Sequence, residues 1–125
     1  MLIQVLKSKL KEVIVTAAST EYEGSITLDP LLMEAARLIP YERVEVNAVN
    51  GESRINTYVI PGERGSGCVE LNGGAANFFV EGQHIHVNCF WFINPFMTDT
   101  KDNRVQFHNY DPNIVITDEN NKVID

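Results

Sequence analysis

The sequence predicts a single, mainly β domain that forms a small barrel with few, short helices. Apolar and polar residues alternate in several short segments, which is the pattern of half-buried strands. Asn50-Gly51 is the strongest hairpin signal in the chain, because both residue types tolerate the positive φ angles of a tight hairpin turn. Turn residues recur at short intervals and few segments have helical spacing, as expected of a small barrel.

Length and charge limit the class of protein. A chain of 125 residues, 44% of them hydrophobic, suits one domain with its own core, over residues 1–125. Its 17 acidic and 10 basic residues give a net charge of −7 without any basic run, so no nucleic-acid partner is expected.

No apolar run approaches the ~20 residues that span a bilayer. With no signal-like start either, we expect a cytoplasmic protein without a membrane partner. Cys68 and Cys89 lie in apolar segments and are expected to be buried free thiols.

The N-terminal segments predict strands with a cationic stretch between them. Residues 1–6 are apolar, and residues 13–18 are rich in β-branched residues, as in a buried strand. In an extended strand, Lys7, Lys9 and Lys11 all point to one side. They form either a solvated, protected edge or a set in which one cation faces an anionic ligand.

One helix is predicted after a short strand at residues 26–28. Asp29 and Pro30 start it, as a capping carboxylate followed by a proline in the first turn. Apolar residues then follow at helical spacing, and Pro40 is expected to end the helix.

The Asn50-Gly51 hairpin joins strands predicted at residues 43–49 and 53–60. In the second strand Arg54, Asn56 and Tyr58 share one face, and Thr57 lies on the other. An arginine and a tyrosine on one face suit the wall of an anion site. The alternative is a solvated face with an amphipathic tyrosine.

The second half predicts further strands, at residues 68–71, 83–93, 105–107 and 113–117. A polar loop is expected at residues 98–103 and a frayed tail at residues 118–125. His84 and His86 share one strand face, a weak zinc signal. Since no cysteine or carboxylate nearby offers a third ligand, we expect no metal. We expect instead that both histidines are hydrogen-bonded or face the solvent.

The Gly24-Ser25 pair is of a kind that can cleave its own peptide bond in a strained turn. The serine hydroxyl attacks the preceding carbonyl, and the acyl group moves from nitrogen to oxygen. The ester then eliminates to dehydroalanine, which hydrolyses to a pyruvoyl group and ammonia. The chain would be cut into residues 1–24 and 25–125. Taken alone, the pair indicates an ordinary turn.

Four other groups of residues accompany this pair. The full set is Lys9; Tyr22-Glu23-Gly24-Ser25; Arg54 with Thr57-Tyr58; Glu63-Arg64-Gly65-Ser66; and Asn72-Gly73-Gly74-Ala75-Ala76. In this order and spacing, from residue 6 to about residue 90, they resemble the pyruvoyl-dependent aspartate 1-decarboxylases. The resemblance implies a double-psi β-barrel and a homotetramer with active sites between subunits. It also implies conversion of L-aspartate to β-alanine and CO2 for pantothenate and coenzyme A biosynthesis.

The resemblance further implies a cofactor and residue roles. The cofactor is a pyruvoyl group derived from Ser25, with no metal and no pyridoxal phosphate, which forms a Schiff base with the substrate amine. Maturation is expected to be spontaneous or assisted by a helper protein. For self-cleavage, the resemblance implies that Gly24 and Ser25 form the cleaved bond, that Tyr22 flanks it and that Thr57 supports the oxyanion. For decarboxylation, it implies that Tyr58 donates the proton and that Lys9 and Arg54 hold the substrate carboxylate. It also implies that Thr57 borders the substrate, that Asn72 lies near the cofactor, and that the substrate-binding turn consists of Gly73, Gly74 and Ala75.

The chain also departs from the family pattern. Lys11 stands where the family often has histidine, Asn47 where it has an aromatic residue, His86 where it has an apolar β-branched residue, and Gly74 where alanine is common. If Asn47 and His86 border the pocket, they make it more polar. One hypothesis is then an altered substrate choice, and the alternative is neutral drift with compensating packing. Two other functions stay open: a pyruvoyl decarboxylase for a related amino acid, and a non-catalytic, uncleaved barrel that serves as a binding or assembly module.

Overall fold

The computed structural model describes residues 1–99, 104–107 and 110–125, and only the backbone of the strands at residues 96–99 and 104–107. The described part is mainly β, which confirms the predicted fold class. Its elements are β1 (Ile3–Ile14), β2 (Ala17–Ser19), β3 (Ser25–Leu28), α1 (Pro30–Ala36), β4 (Arg43–Ala48), β5 (Arg54–Pro61), β6 (Val69–Asn72), a 3-10 helix (Gly73–Asn77), β7 (His84–Ile93), β8 (Phe96–Asp99), β9 (Arg104–Phe107) and β10 (Asn113–Ile116).

Eight of the strands form one sheet in the order β10-β1-β7-β4-β5-β3-β6-β2, and β8 pairs with β9 separately. Strands β1 and β2 stand six strand spacings apart in this order, or about 29 Å in a flat sheet. Yet only Val15 and Thr16 join them, a link that spans roughly 10 Å when extended. The sheet must therefore curl on itself, as in a small barrel.

The core lies inside this curled sheet and beneath α1. Its strands contribute alternate residues, such as Val44 and Val46 of β4, Ile85 and Val87 of β7, and Ile26 and Leu28 of β3. Helix α1 adds Leu32, Met33 and Ala36. Cys68 and Cys89 are free and buried, as predicted. Burial and the Glu42 carboxylate, which accepts a 2.6 Å hydrogen bond from the thiol, raise the pKa of Cys89 to about 12.

The N-terminal strand differs from its prediction. Residues 3–14 form one continuous strand, with an irregularity in its pairing to β7 between Leu6 and Ser8. This bulge turns Lys7 inward, where its Nζ donates to Glu42 Oε2 at 2.6 Å and to the Arg37 carbonyl at 2.8 Å. The expectation that all three lysines share one side is therefore wrong for Lys7. Bulges commonly re-aim a side chain in this way.

Helix α1 starts where predicted and ends earlier. The Asp29 side chain accepts from the Leu31 amide at 2.9 Å. The helix ends at Ala36, because Arg37 adopts a left-handed conformation with φ of 60°, so Pro40 does not terminate it. Burial raises the pKa of Asp29, but backbone donors at Gly65, Leu31 and Gly67 outweigh it, and the pKa lies below its ordinary value.

The C-terminal residues are ordered, so the prediction of a frayed tail is wrong. Asn121 is 2% exposed. Its side chain accepts from the Ile14 amide and donates to the carbonyls of Ile14 and Gly67, each at 2.8 Å. These bonds fasten the tail to β1 and to the loop before β6.

The remaining strand predictions have mixed outcomes. The late strands predicted at residues 105–107 and 113–117 are confirmed as β9 and β10. The predicted polar loop at residues 98–103 overlaps β8, and residues 100–103 lie outside the described part. No helix in the described residues is long and apolar enough to cross a membrane.

Candidate active site

Ser25 lies at the first position of β3, and its side chain is almost fully buried, at 1% exposure. It pairs with Asn72 of β6 in antiparallel register. The Asn72 side-chain amide donates to Ser25 Oγ at 2.9 Å and to Thr27 Oγ1 at 2.8 Å. Since Ser25 Oγ accepts in this bond, its own proton remains available for another partner.

The turn after Asn72 supports the backbone that precedes Ser25. Gly73 has a φ of +62°, and a Cβ there would stand 2.3 Å from the Tyr22 carbonyl oxygen and 2.6 Å from the Gly24 nitrogen. Only glycine permits this approach. Gly74 has open space where its Cβ would lie. The glycine turn runs directly into a short helix, because Gly73–Asn77 form a 3-10 helix.

Two cavities flank the Gly24–Ser25 bond. The first, of about 410 Å³, is lined by Tyr22, Glu23, Ser25, Thr27, Tyr41, Tyr58, Ile60, Glu70 and Asn72. The second, of about 480 Å³, is lined by Gly24, Ile55, Asn56, Thr57, Tyr58, Gly74, Ala75, Asn77 and Phe78. Tyr58 lines both. Strand β5 runs parallel to β3, and Ile26 pairs with Val59, which brings Tyr58 next to Ser25.

The structure therefore brings together most of the predicted site. The positions gathered around the bond are Tyr22, Gly24, Ser25, Thr57, Tyr58, Asn72, Gly73, Gly74 and Ala75. The predicted positions that line neither cavity are Lys9, Lys11, Asn47, Arg54 and His86.

The two cavities carry no positive side chain of their own. Over the part of the chain that the structure describes, neither lining includes a lysine, an arginine or a histidine. The Ser25 cavity instead has the carboxylates Glu23 and Glu70. An anionic substrate in this cavity would need cations from elsewhere.

The predicted cations lie on the outer face of the sheet, opposite the side that packs against the core. Lys9 pairs with Asn88, which pairs with Glu45 of β4. Strand β1 stands four strand spacings from β3, which is about 19 Å along the sheet. Arg54 is 62% exposed and forms an ion pair with Glu45.

The polar departures share this outer face. His86 pairs across the sheet with Asn47, which in turn pairs with Arg54. The Glu12 amide donates to His86 Nδ1 at 3.1 Å, and Asn88 donates to Asn47 Oδ1 at 2.9 Å. The predicted hydrogen-bonded histidine is confirmed for His86. Burial, with the charges of Lys9 and Lys11, lowers the pKa of His86, against the opposing charge of Glu12.

The described residues contain no group of three histidine, cysteine or carboxylate side chains arranged to hold a metal ion.

Sequence reasoning missed several residues around Ser25. Glu70 lies two positions before Asn72 on β6, so strand alternation gave a usable signal. Thr27 lies two positions after Ser25 on β3, so the same alternation places both side chains on one face. Tyr41 lies in a turn, where no periodicity applies, and its place in the cavity depends on the fold.

Comparisons with known proteins agree with the motif resemblance. A family model described as aspartate decarboxylase matches residues 1–124. The aspartate 1-decarboxylase of Caldicellulosiruptor saccharolyticus is 40% identical over 124 residues, covering 99% of this chain and 90% of the relative. That of Leptospira biflexa is 41% identical over 122 residues, covering 98% and 97%. That of Thermoanaerobacter pseudethanolicus is 40% identical over 119 residues, covering 95% and 94%. The similarity thus extends beyond residue 90, where the sequence motifs end.

Proposed function

The chain belongs to the aspartate decarboxylase family, and from this premise we propose that it converts L-aspartate to β-alanine and CO2 with a pyruvoyl group made from its own Ser25. The observation that carries the proposal is the burial of Ser25, beside Gly24, in a cavity that also contains Tyr58. The product would enter pantothenate and coenzyme A synthesis.

The residues around Ser25 fit a cofactor formed in place. Asn72 holds the Ser25 oxygen, and the bare backbone of Gly73 lies where any side chain would collide with residues 22–24. Attack of Ser25 Oγ on the Gly24 carbonyl replaces the peptide bond with an ester. Elimination releases the Gly24 carboxylate, and one water converts dehydroalanine to the pyruvoyl group and ammonia. Thr57, which lines the Gly24 cavity, is assigned to the oxyanion of the first step.

When present, the pyruvoyl ketone binds the substrate amine and accepts the electron pair released with CO2. The chain's own residues then bind and protonate. Tyr58 borders both cavities, so its hydroxyl is the group we assign to proton donation at the former α-carbon. Tyr22, Gly74 and Ala75 shape the space around the substrate.

We assign the carboxylate-binding role of Lys9 and Arg54 to a second copy of the chain. The Ser25 cavity is acidic, while Lys9 lies on β1, about 19 Å away along the sheet. Arg54 lies on β5, next to β3, but it lines neither cavity and is paired with Glu45. Opposite charges on two surfaces favour their association. A homotetramer with active sites between subunits would bring Lys9 and Arg54 of one copy to the cavity of another. We place this assembly in the cytoplasm. Maturation is spontaneous or assisted by a helper protein.

One observation supports the second candidate, a related amino acid as substrate. His86 and Asn47 pair across the sheet beside Arg54, so both departures lie on the face that would meet the substrate. Added polar groups there discriminate strongly between ligands that do and do not pair with them.

The test is the intact mass of the denatured protein, with and without a carbonyl-reactive hydrazine. We expect two pieces, residues 1–24 and 25–125, with only the larger adding hydrazine. Ser25→Ala is the matched control and stays uncut. CO2 release is then measured from aspartate, glutamate and asparagine. A chain that stays uncut after prolonged warm incubation and incubation with cell extract would instead indicate the non-catalytic barrel. A cut chain that prefers another amino acid would establish the second candidate.

A further inference from the structure

Tyr41, in the turn between α1 and β4, has an unusual backbone. Its φ is 69°, in the left-handed region that a tyrosine rarely adopts. Its side chain is 73% exposed, so burial of the ring does not hold it there. It nevertheless lines the Ser25 cavity. A strained residue that persists is held by its surroundings, and such residues cluster at functional sites.

Hydrogen bonds on both sides hold this turn. The Tyr41 amide donates to the Val59 carbonyl at 2.7 Å, and the Val59 amide donates to the Glu42 carbonyl at 3.0 Å. The Glu42 side chain accepts from the Ile39 amide at 3.0 Å and from Lys7 Nζ at 2.6 Å. The turn is thus tied to β5 next to Tyr58 and, through Glu42 and Lys7, to β1.

The ring that this turn presents lies against the ring of Tyr58. The ring centroids are 6.0 Å apart and the planes are inclined by 33°. This separation is within the range of favourable aromatic pairs. A ring packed on one side has fewer accessible rotamers. Because Tyr58 borders both cavities, the rotamer that it keeps decides where its hydroxyl lies relative to Ser25.

We propose that Tyr41 is a positioning residue, whose ring holds Tyr58 in the rotamer that directs its hydroxyl toward Ser25. The inference rests on the proposed function, in which Tyr58 donates the proton. The contact is between rings, so the Tyr41 ring carries the effect and its hydroxyl does not.

The kinetic test removes the ring without adding strain. Tyr41→Gly relieves the left-handed backbone and takes away the aromatic contact. We expect kcat for aspartate to fall about tenfold, since small misplacements of a reacting group are costly, with KM changed less than about twofold. Tyr41→Phe restores kcat to near the wild-type value. Ile39→Ala, an exposed residue of the same turn, is the unchanged control.

A double-mutant cycle shows whether Tyr41 acts through Tyr58. In a Tyr58→Phe background, Tyr41→Gly should reduce kcat further by less than about twofold, because the hydroxyl that it positions is gone. A tenfold loss in both backgrounds would overturn the inference, and so would an unchanged kcat in Tyr41→Gly alone.

A second measurement does not need activity. The chain has four tyrosines, so fluorotyrosine gives four ¹⁹F resonances, each assigned by its loss in the matching Tyr→Phe variant. The Tyr58 resonance should shift or broaden in Tyr41→Gly and stay unchanged in Ile39→Ala. An unaltered Tyr58 resonance would disprove the contact even in an inactive chain. Failure of the proposed function is distinguishable, because it shows in the wild-type chain as absent cleavage or absent CO2 release.

Discussion

The Ser25 cavity and the outer face of the sheet differ in charge and in the chemistry that their side chains can support. The cavity holds a buried serine, two tyrosines that pack together and two carboxylates. The outer face holds Lys9 and Arg54, with His86 between their strands. The cavity contains groups suited to self-cleavage and proton transfer, whereas the outer face contains groups suited to binding a carboxylate. Under the proposed function, these are two complementary halves of a site: Lys9 lies four strand spacings from Ser25, and Arg54 lies on the neighbouring strand but outside both cavities.

The largest effect is expected when the two halves are damaged in different chains. Ser25→Ala abolishes cleavage, and Arg54→Ala leaves cleavage intact but lowers kcat/KM for aspartate by about a hundredfold or more. If a site combines the cavity of one copy with the outer face of another, a mixture of the two variants assembled together should recover roughly a quarter of wild-type activity by random pairing. The measurement is CO2 release from the co-expressed, co-purified variants.

The control for this experiment uses two changes in the same half. Ser25→Ala and Tyr58→Phe both alter the Ser25 cavity. Mixing them leaves every cavity defective, so no recovery beyond the activity of Tyr58→Phe chains is expected. Equal recovery in both mixtures, or none in either, would contradict a site divided between copies.

Local sequence patterns predicted the elements better than their long-range contacts. Strand alternation identified β4, β5 and β7, and the Asp29-Pro30 pair identified the start of α1, because these signals depend on neighbouring residues. The inward turn of Lys7 could not be predicted in this way, since it depends on a bulge in the pairing with β7. The packing of the tail was missed for a similar reason, because Asn121 bonds to residues 107 and 54 positions away.

The candidate site shows the same division. The family motifs located nine positions that the fold gathers around the Gly24–Ser25 bond. The motifs could not show that Lys9 and Arg54 line neither cavity, because cavity walls depend on the fold of the whole chain. They also gave no indication of Tyr41, whose role depends on its contact with Tyr58.

A smaller effect, confined to the cavity half, is expected from two neighbouring glycines. Gly73→Ala puts a Cβ within 2.3 Å of the Tyr22 carbonyl oxygen at a φ of +62°. It should destabilise the chain by about 3 kcal/mol and slow cleavage, because residues 22–24 must shift. Gly74→Ala meets nothing within 4 Å and should change stability by less than about 0.5 kcal/mol.

The measurement is urea unfolding of each variant in the uncut Ser25→Ala background at one protein concentration, with cleavage followed separately by mass. The fixed concentration matters because association adds to apparent stability. Equal destabilisation by the two alanines would show that the glycine turn does not support the cleavage loop through close contact.

The smallest effect concerns His86 on the outer face. Burial and the charges of Lys9 and Lys11 lower its pKa below 6.5 in the folded chain, so the unfolded chain binds this proton more readily. The neutral imidazole therefore contributes fully to stability above about pH 6.5, and that contribution falls as the pH drops toward the folded pKa. In His86→Gln, the unfolding free energy should lose this part of its pH dependence between pH 5 and 7. Lys11→Gln removes one repelling charge and should reduce the same slope partway. The measurement is urea unfolding of each variant across this pH range. If His86→Gln keeps the wild-type slope of the unfolding free energy against pH, the outer face does not hold His86 neutral.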